Sequence, residues 1–189
     1  MKELETERLY LRRFRLEDAR QVFENYANDP EVTKYVTWPA HKDISTTEEY
    51  LRYVVDEYAK PETYRWAIIL KDTGELVGAI DTVDDFPDIK SCEIGYVLGR
   101  KWWHQHIMSE AAFAVTRYLL DEGYNRIEAC HDVLNVHSGD VMKKIGMHFE
   151  GILRKRRVNN RGIVDIAMYS LLKDDIRNDQ EAPDPVRDI

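Results

Sequence analysis

Hydrophobic and polar positions along the chain fall into short periodic blocks. Residues 8–14 alternate, with Leu9 and Leu11 on one face, the pattern of a half-buried strand. Leu16, Ala19, Phe23, Tyr26 and Ala27 then follow at helical spacing. Glu17 and Asp18 sit in the first turn, where the helix dipole favours acids, and Asn28-Asp29-Pro30 ends the helix. A second helix is predicted from Ser45, with Ser45 and Glu48 as a capping box, an apolar face of Leu51, Val54, Val55 and Tyr58, and a stop at Pro61. Tyr64, Trp66, Ile68 and Leu70 alternate as a strand that turns at Asp72-Thr73-Gly74. Leu76 to Val83 returns, Asp84 to Lys90 turns again, and Cys92 to Leu98 forms a further strand.

The loop Gly99-Arg100-Lys101-Trp102-Trp103-His104-Gln105-His106 leads into a helix with Ile107, Ala111, Ala114, Val115 and Tyr118 on its apolar face, closed by Gly123. Arg126 to His131 reads as a strand and Asn135 to Ile145 as a short helix ended by Gly146. Two last strands, 148–158 and 163–172, are joined by Asn159-Asn160-Arg161-Gly162. The expected order is β-α-α-β-β-β-α-β-α-β-β, one α/β (α+β) domain over residues 1–172. Residues 173–189 read as a polar, acidic, frayed tail.

At 189 residues with 43% hydrophobic types, the chain is long enough for one well-buried core. No apolar run approaches a membrane span, and the charged start, Met1-Lys2-Glu3-Leu4-Glu5, is unlike a signal peptide, so the expected location is cytoplasmic. Two cysteines, Cys92 and Cys130, are too few for a disulfide scaffold and read as small buried hydrophobes. Lys and Arg number 27 against 35 Asp and Glu, a net charge of -8, which argues against duplex DNA as a partner and leans towards amines. The basic run Arg154-Lys155-Arg156-Arg157 would place its charges on alternate faces of a strand, as a solvated edge does. His104-x-His106, with His131 and His137, has no metal-ligand spacing, so no metal is expected.

The strand–loop–helix at 93–111 carries the chemistry. A helix N-terminus after a strand presents free N–H groups and a positive dipole end, a setting suited to phosphate. The string Glu93-Ile94-Gly95-Tyr96-Val97-Leu98, then Trp102-Trp103-x-Gln105-x-Ile107-Met108-Ser109-Glu110-Ala111, resembles the acyl-CoA signature of the GNAT N-acetyltransferases, and most closely their RimJ/RimL branch. Thr6-Glu7-Arg8-Leu9-x-Leu11-Arg12, Gly74-Glu75-Leu76-Val77-Gly78, Asn125-Arg126-Ile127-Glu128-Ala129 and Asn135-x-x-Ser138-x-x-Val141-Met142-x-Lys144-x-Gly146-Met147 extend the resemblance. With Glu150-Gly151-x-Leu153-Arg154 and Tyr169-Ser170-Leu171 it covers residues 6 to 172 in order.

The resemblance implies a three-layer fold with helices on both faces of a mixed, mostly antiparallel sheet. In it the fourth and fifth strands splay to admit the pantetheine arm of acetyl-CoA, the acetyl donor. Tyr96, Val97 and Leu98 would pair with that arm, Asn135 would hydrogen-bond it, and the segment His104, Gln105, His106, Ile107, Met108, Ser109 and Glu110 would hold the pyrophosphate. Transfer needs an acceptor for the ammonium proton, a donor to the thioester oxygen and a proton for the thiolate. Glu93, the Val97 N–H and Ser138 are the implied groups, with Asp81 the next candidate base. Glu93 could equally be an ion-paired strand carboxylate, Ser138 a helix-start residue and Asn135 a plain N-cap. Trp38-Pro39 would overhang the acceptor site.

His104 and His106 depart from the resemblance, because the family loop carries glycine at both positions. A Cβ there narrows the allowed backbone and crowds the phosphates, although the His106 imidazole could instead bond them. The expected activity is acetyl-CoA-dependent N-acetylation of an amine, either a small molecule or a protein N-terminus such as a ribosomal protein's. Alternatives are a CoA-binding sensor without catalysis and an RNA- or ribosome-associated module using 154–157. Neither the acceptor nor a homodimer is decided by the sequence.

Overall fold

A computed structural model describes residues 1–60 and 63–178. Eight strands form one sheet in the order β1-β2-β3-β4-β5-β6-β8-β7: β1 Leu4–Glu5, β2 Leu9–Arg12, β3 Arg65–Leu70, β4 Leu76–Phe86, β5 Ser91–Leu98, β6 Arg126–Asp132, β7 His148–Asn159 and β8 Gly162–Leu172. All neighbours are antiparallel except β5 and β6. The two-residue β1 is an addition to the expected order, so the parallel, separating pair is the fifth and sixth strand.

The helices are α1 Ala19–Val22, α2 Pro30–Thr33, α3 Ile44–Glu57, α4 Ile107–Glu122, α5 Val136–Lys144 and α6 Lys173–Asn178. Two hydrophobic cores lie on opposite faces of the sheet. One joins Trp66 and Ile68 of β3 to Ile107, Ala111, Val115 and Leu119 of α4 and to Met142 of α5. The other joins Ala67 and Ile69 to Val22, Val32, Leu51 and Val54 of the first three helices. Residues 66–69 of β3 are therefore all buried, as expected of a strand covered on both sides. Each fully buried Leu or Ile contributes about 1.5–3 kcal/mol to holding the helices on the sheet.

Several elements differ from the sequence expectation. The first helix is not continuous: a 3₁₀ turn at Leu16–Asp18 and a π-type turn at Phe23–Ala27 flank α1. The α3 N-cap is Asp43, whose carboxylate accepts from Thr46 N, so Ser45 already lies inside the helix. Pro61 lies outside the described residues. In α4 the buried stripe runs 107-108, 111-112, 115-116, 119-120, which leaves Ala114 and Tyr118 on its flank. Strand β4 continues through Asp84, Asp85 and Phe86, paired with Glu93, Cys92 and Ser91, past a bulge at Val83. Lys173–Asn178 is helical where the frayed tail was expected, with Leu172 N–H donating to Asp175 Oδ2 at 2.8 Å. The rest of that tail, 179–189, lies outside the described residues.

The basic run does not alternate. The β7–β8 register shifts between Leu153 and Arg157, and Lys155 takes a left-handed φ of 51°. Arg154, Lys155 and Arg156 stay exposed, whereas Arg157 turns inward.

Candidate active site

Strands β5 and β6 pair only through Ser91–Glu93 with Arg126–Glu128, and beyond Glu93 they separate. The phase of the β4–β5 ladder decides which amides face the gap. Gly99 N–H donates to Val77 O at 2.8 Å, so alternate residues back along β5, Val97 and Gly95, turn their N–H groups towards Ala79 and Asp81 of β4. Tyr96 and Leu98 turn theirs away from β4, towards the gap. Leu98 O confirms the phase, because it accepts from Trp103 Nε1 at 2.8 Å instead of from β4. The Val97 N–H, implied by the resemblance as the donor to the thioester oxygen, is therefore part of the ladder. Tyr96 and Leu98 carry the outward amides.

At the far end of the gap, His104 and His106 both have φ of 60°. Each adopts the left-handed backbone that glycine enters freely and that costs an L-residue about 1–2 kcal/mol. His106 is the α4 N-cap, and the first intrahelical bond runs from Glu110 N–H to His106 O at 3.1 Å. The amides of Ile107, Met108 and Ser109 thus have no partner within the helix, the arrangement that favours phosphate. Both imidazoles reach α5. His104 meets the His137 ring edge-on at 4.8 Å between centroids, and the Lys144 ammonium donates to His106 Nδ1 at 3.0 Å.

Glu110 does not fit the phosphate role. Its carboxylate accepts from Thr6 Oγ1 (2.6 Å), Arg8 N (2.9 Å) and Arg8 Nε (2.6 Å), fastening α4 to the start of β2. Gln105 is fixed locally, its Nε2 donating to Lys101 O at 3.0 Å and its carbonyl accepting from Arg8 Nη1 at 3.0 Å. The loop's other cations, Arg100 and Lys101, pair with Asp29 and Glu75.

A cavity of about 550 Å³ opens beside the splay and is lined by Glu93, Tyr96, Val97, Asn135, Ser138 and Asp81 among others. Of the residues expected from the sequence, the cavity brings together Glu93, Tyr96, Val97, Asn135 and Ser138, while Leu98 and 104–110 lie outside its lining. Glu93 is only 5% exposed, with Oε2 held by Arg157 Nη2 at 2.6 Å and Oε1 accepting from Cys130 Sγ at 3.2 Å. The half-buried Cys130 is more than a packing residue: burial first, then the Glu93 charge, pushes its thiol up to about 12. Ser138 Oγ donates to Tyr96 Oη at 2.9 Å, and Tyr96 Oη donates to Ser138 O at 2.8 Å. Burial raises the Tyr96 hydroxyl well above its ordinary pKa and keeps it protonated. Asn135 is the N-cap of α5 but makes no side-chain cap bond. Asp81 faces Arg65 at 3.4 Å, and burial, opposed by Arg65, pushes its carboxyl up to about 6.

Residues 8–148 match the family model described as an acetyltransferase (GNAT) domain. The chain belongs to the GNAT acetyltransferase family. It is 35% identical over 180 residues to the uncharacterized N-acetyltransferase p20 of Bacillus licheniformis, covering 92% of this chain and 97% of that protein. The structure of a GNAT-family acetyltransferase from Bacillus anthracis superposes with a TM-score of 0.79 at 28% identity, covering 92% and 99% of the two chains. RimL, a ribosomal L7/L12 α-N-protein acetyltransferase solved with coenzyme A, shares the fold with a TM-score of 0.81 at 18% identity over 92% and 99%. The protein is accordingly an acetyl-CoA-dependent N-acyltransferase, and the outward amides of Tyr96 and Leu98 and the free first turn of α4 suit that donor.

In this GNAT acetyltransferase the β7–β8 turn is stitched to the end of α2 and the loop after it. Asn160 Nδ2 donates to Thr33 O and Trp38 O, each at 2.7 Å. Below it Asp132 pairs with Arg161 at 2.7 Å and accepts from Asn159 Nδ2 at 2.8 Å. Glu93 is the ion-paired strand carboxylate that the sequence allows as an alternative, but Arg157 as its partner, the Cys130 contact and the Tyr96 hydroxyl are missed by sequence reasoning. Only Arg157 left a signal there, and the three neighbouring cations masked it. Among the described residues, no three His, Cys, Asp or Glu side chains cluster as metal ligands do, and no helix is long and apolar enough to cross a membrane.

Proposed function

We propose that this enzyme transfers acetyl from acetyl-CoA directly to a primary amine in a ternary complex, with the α-amino group of a protein as the first acceptor class to test. The observation that carries this reading is one cavity lined by two carboxylates, Asp81 and Glu93, from one face of the β4–β5 ladder and by the Tyr96–Ser138 hydroxyl pair from the other. A carboxylate serves an ammonium that must lose a proton, and a hydroxyl pair serves a departing thiolate. The Tyr96 and Leu98 amides would meet the pantetheine arm and the thioester oxygen, and the 107–109 amides the pyrophosphate.

RimL's acceptor is a protein N-terminus, which supports starting with peptides. The left-handed backbone of His104 and His106 keeps the glycine-type loop and speaks for retained CoA binding, against a sensor that has lost it. The engagement of Arg157 with Glu93 weakens the RNA reading, which needs the whole 154–157 run free.

Calorimetry with CoA, alongside a thiol-release screen of acetyl-CoA against small amines and free-N-terminus tetrapeptides, tests the proposal. CoA binding at micromolar to low millimolar dissociation constant with turnover of at least one amine is expected. No binding at millimolar CoA would overturn it.

A further inference from the structure

We infer that Asp81, and not Glu93, accepts the proton from the acceptor ammonium. The inference rests on the amine reading above. Asp81 and Glu93 share one face of the sheet with Val97, because Asp81 pairs with Gly95 and Ala79 with Val97. Asp81 is thus level with Gly95, one residue, about 3.3 Å along the strand, from the Tyr96 amide. Glu93 lies three residues from Tyr96, about 10 Å along the same strand.

Availability separates the two further. Both Glu93 oxygens are engaged, one in an ion pair of 2.6 Å, so a proton taken by Glu93 would neutralise the charge that holds Arg157. Asp81 meets Arg65 at 3.4 Å, long for a hydrogen bond, and 20% of its side chain is open to the cleft. Gly95, level with it, carries no side chain, and a Cβ there would clash with Val83 Cγ1 at 2.8 Å while lying 4.0 Å from Asp81 Oδ1. Facing Asp81 are Arg65 from β3, Tyr50 from α3 and Tyr26 from the π-type turn, with the Glu93–Arg157 pair farther down the face. Both phenols line the same cavity as Asp81. A carboxyl with its pKa near 6 also gives a stronger base than an ordinary aspartate.

The step balances as follows. Asp81 takes one proton from R–NH₃⁺, freeing the nitrogen lone pair. The C–N bond forms as the C–S bond breaks, the second nitrogen proton passes to sulfur by way of the Ser138–Tyr96 pair, and Asp81 returns its proton to solvent. The sum is amide, thiol and one proton.

The test follows thiol release with small primary amines and free-N-terminus tetrapeptides for the wild type, Asp81→Asn, Asp81→Glu and Glu93→Gln from pH 6 to 10, with calorimetry of CoA binding. Asp81→Asn should lower kcat by roughly 10²-fold or more at neutral pH, and the loss should shrink towards pH 10 where the amine is already neutral. CoA affinity should not change, and Asp81→Glu should recover part of the rate. A pH-dependent loss in Glu93→Gln with near-normal Asp81→Asn would overturn the assignment, as would an Asp81→Asn loss equal at every pH. If Asp81→Asn fails to fold, the wild-type acid limb and its displacement in Asp81→Glu decide: a limb near pH 6 that does not move overturns it. A wild type that turns over no amine overturns the amine reading itself, a result told apart because no variant is needed to see it.

Discussion

Glu93 and Arg157 stand 64 positions apart in the chain and 2.6 Å apart in the fold. The contact crosses the splay, joining β5 to β7 over the intervening strands, and it spends the carboxylate at the position where the family resemblance implies a base. It exists because the bulge around Lys155 turns Arg157 inward and because Asp84, at 3.3 Å, shares the guanidinium.

Arg157→Ala should therefore destabilise the protein by about 2 kcal/mol, below the 3–5 kcal/mol of fully buried pairs. Arg157 is 38% exposed, so solvent screens part of the loss. Glu93→Gln should lose less, about 1 kcal/mol, because Arg157 keeps Asp84 as a partner. Urea unfolding of the two variants checks the order: equal losses would mean that Asp84 does not hold Arg157 once Glu93 is neutral, and no loss in either would mean that the pair does not hold the splay together.

The left-handed backbone at His106 gives a second prediction. Its strain is present before any ligand arrives, so it weighs on folding and not on CoA binding. His106→Gly should leave stability within about 1 kcal/mol of wild type, since relief of strain offsets the greater freedom of the unfolded chain. His106→Val should cost at least about 1–2 kcal/mol, because a β-branched residue tolerates positive φ worst. Thermal melts of both variants, with CoA calorimetry on the glycine form, make the comparison. A valine variant as stable as wild type would show that the residue is not left-handed in solution.

Asp81 gives a third prediction, on stability against pH. Its pKa is raised in the folded state, from 3.8 to about 6, so the native protein holds that proton more tightly than the unfolded chain does. The stability this contributes is complete below about pH 4 and is lost as pH rises through 6, by up to roughly 3 kcal/mol for a shift of this size. Asp81→Asn should therefore gain on the wild type between pH 4 and 7. Parallel curves across that window in denaturant titrations would contradict the raised pKa.

Gly78 supplies a fourth. A Cβ at Gly78 would clash with the Val97 backbone carbonyl, which belongs to the ladder that aims Tyr96 and Leu98 at the gap. Gly78→Ala should cost about 1–3 kcal/mol and weaken CoA binding with it, as melting and calorimetry would show. Unchanged affinity in a destabilised variant would mean that the outward amides do not hold the donor.

Much of this architecture is legible in the sequence because it rests on local periodicity. The β5–loop–α4 unit follows from the run of apolar residues, the loop residues and the 3.6-residue spacing after Ile107. The neighbourhood of Ser138 and Tyr96 is legible only through the ordered family motifs. What sequence reasoning misses depends on registers between distant strands. The ladder phase that commits the Val97 N–H to β4, the bulge that turns Arg157 inward and the capture of Glu110 by Thr6 and Arg8 leave no periodic trace. The setting of Asp81 among Arg65, Tyr26 and Tyr50 likewise arises only when three elements meet, although its place on the strand next to Glu93 makes it the second candidate base.

The most direct measurement is the stoichiometry of transfer. Wild-type protein is incubated with acetyl-CoA and an amine that the screen finds active, and mass spectrometry counts acetylated amine against free CoA thiol in wild type and in Ser138→Ala. One acetylated amine per thiol is expected, at a rate that Ser138→Ala lowers without rescue at high pH, since thiolate protonation is a separate step from amine deprotonation. Thiol release without acetylated amine would contradict amine acetylation, and full-rate transfer by Ser138→Ala would contradict the part given to the Ser138–Tyr96 pair.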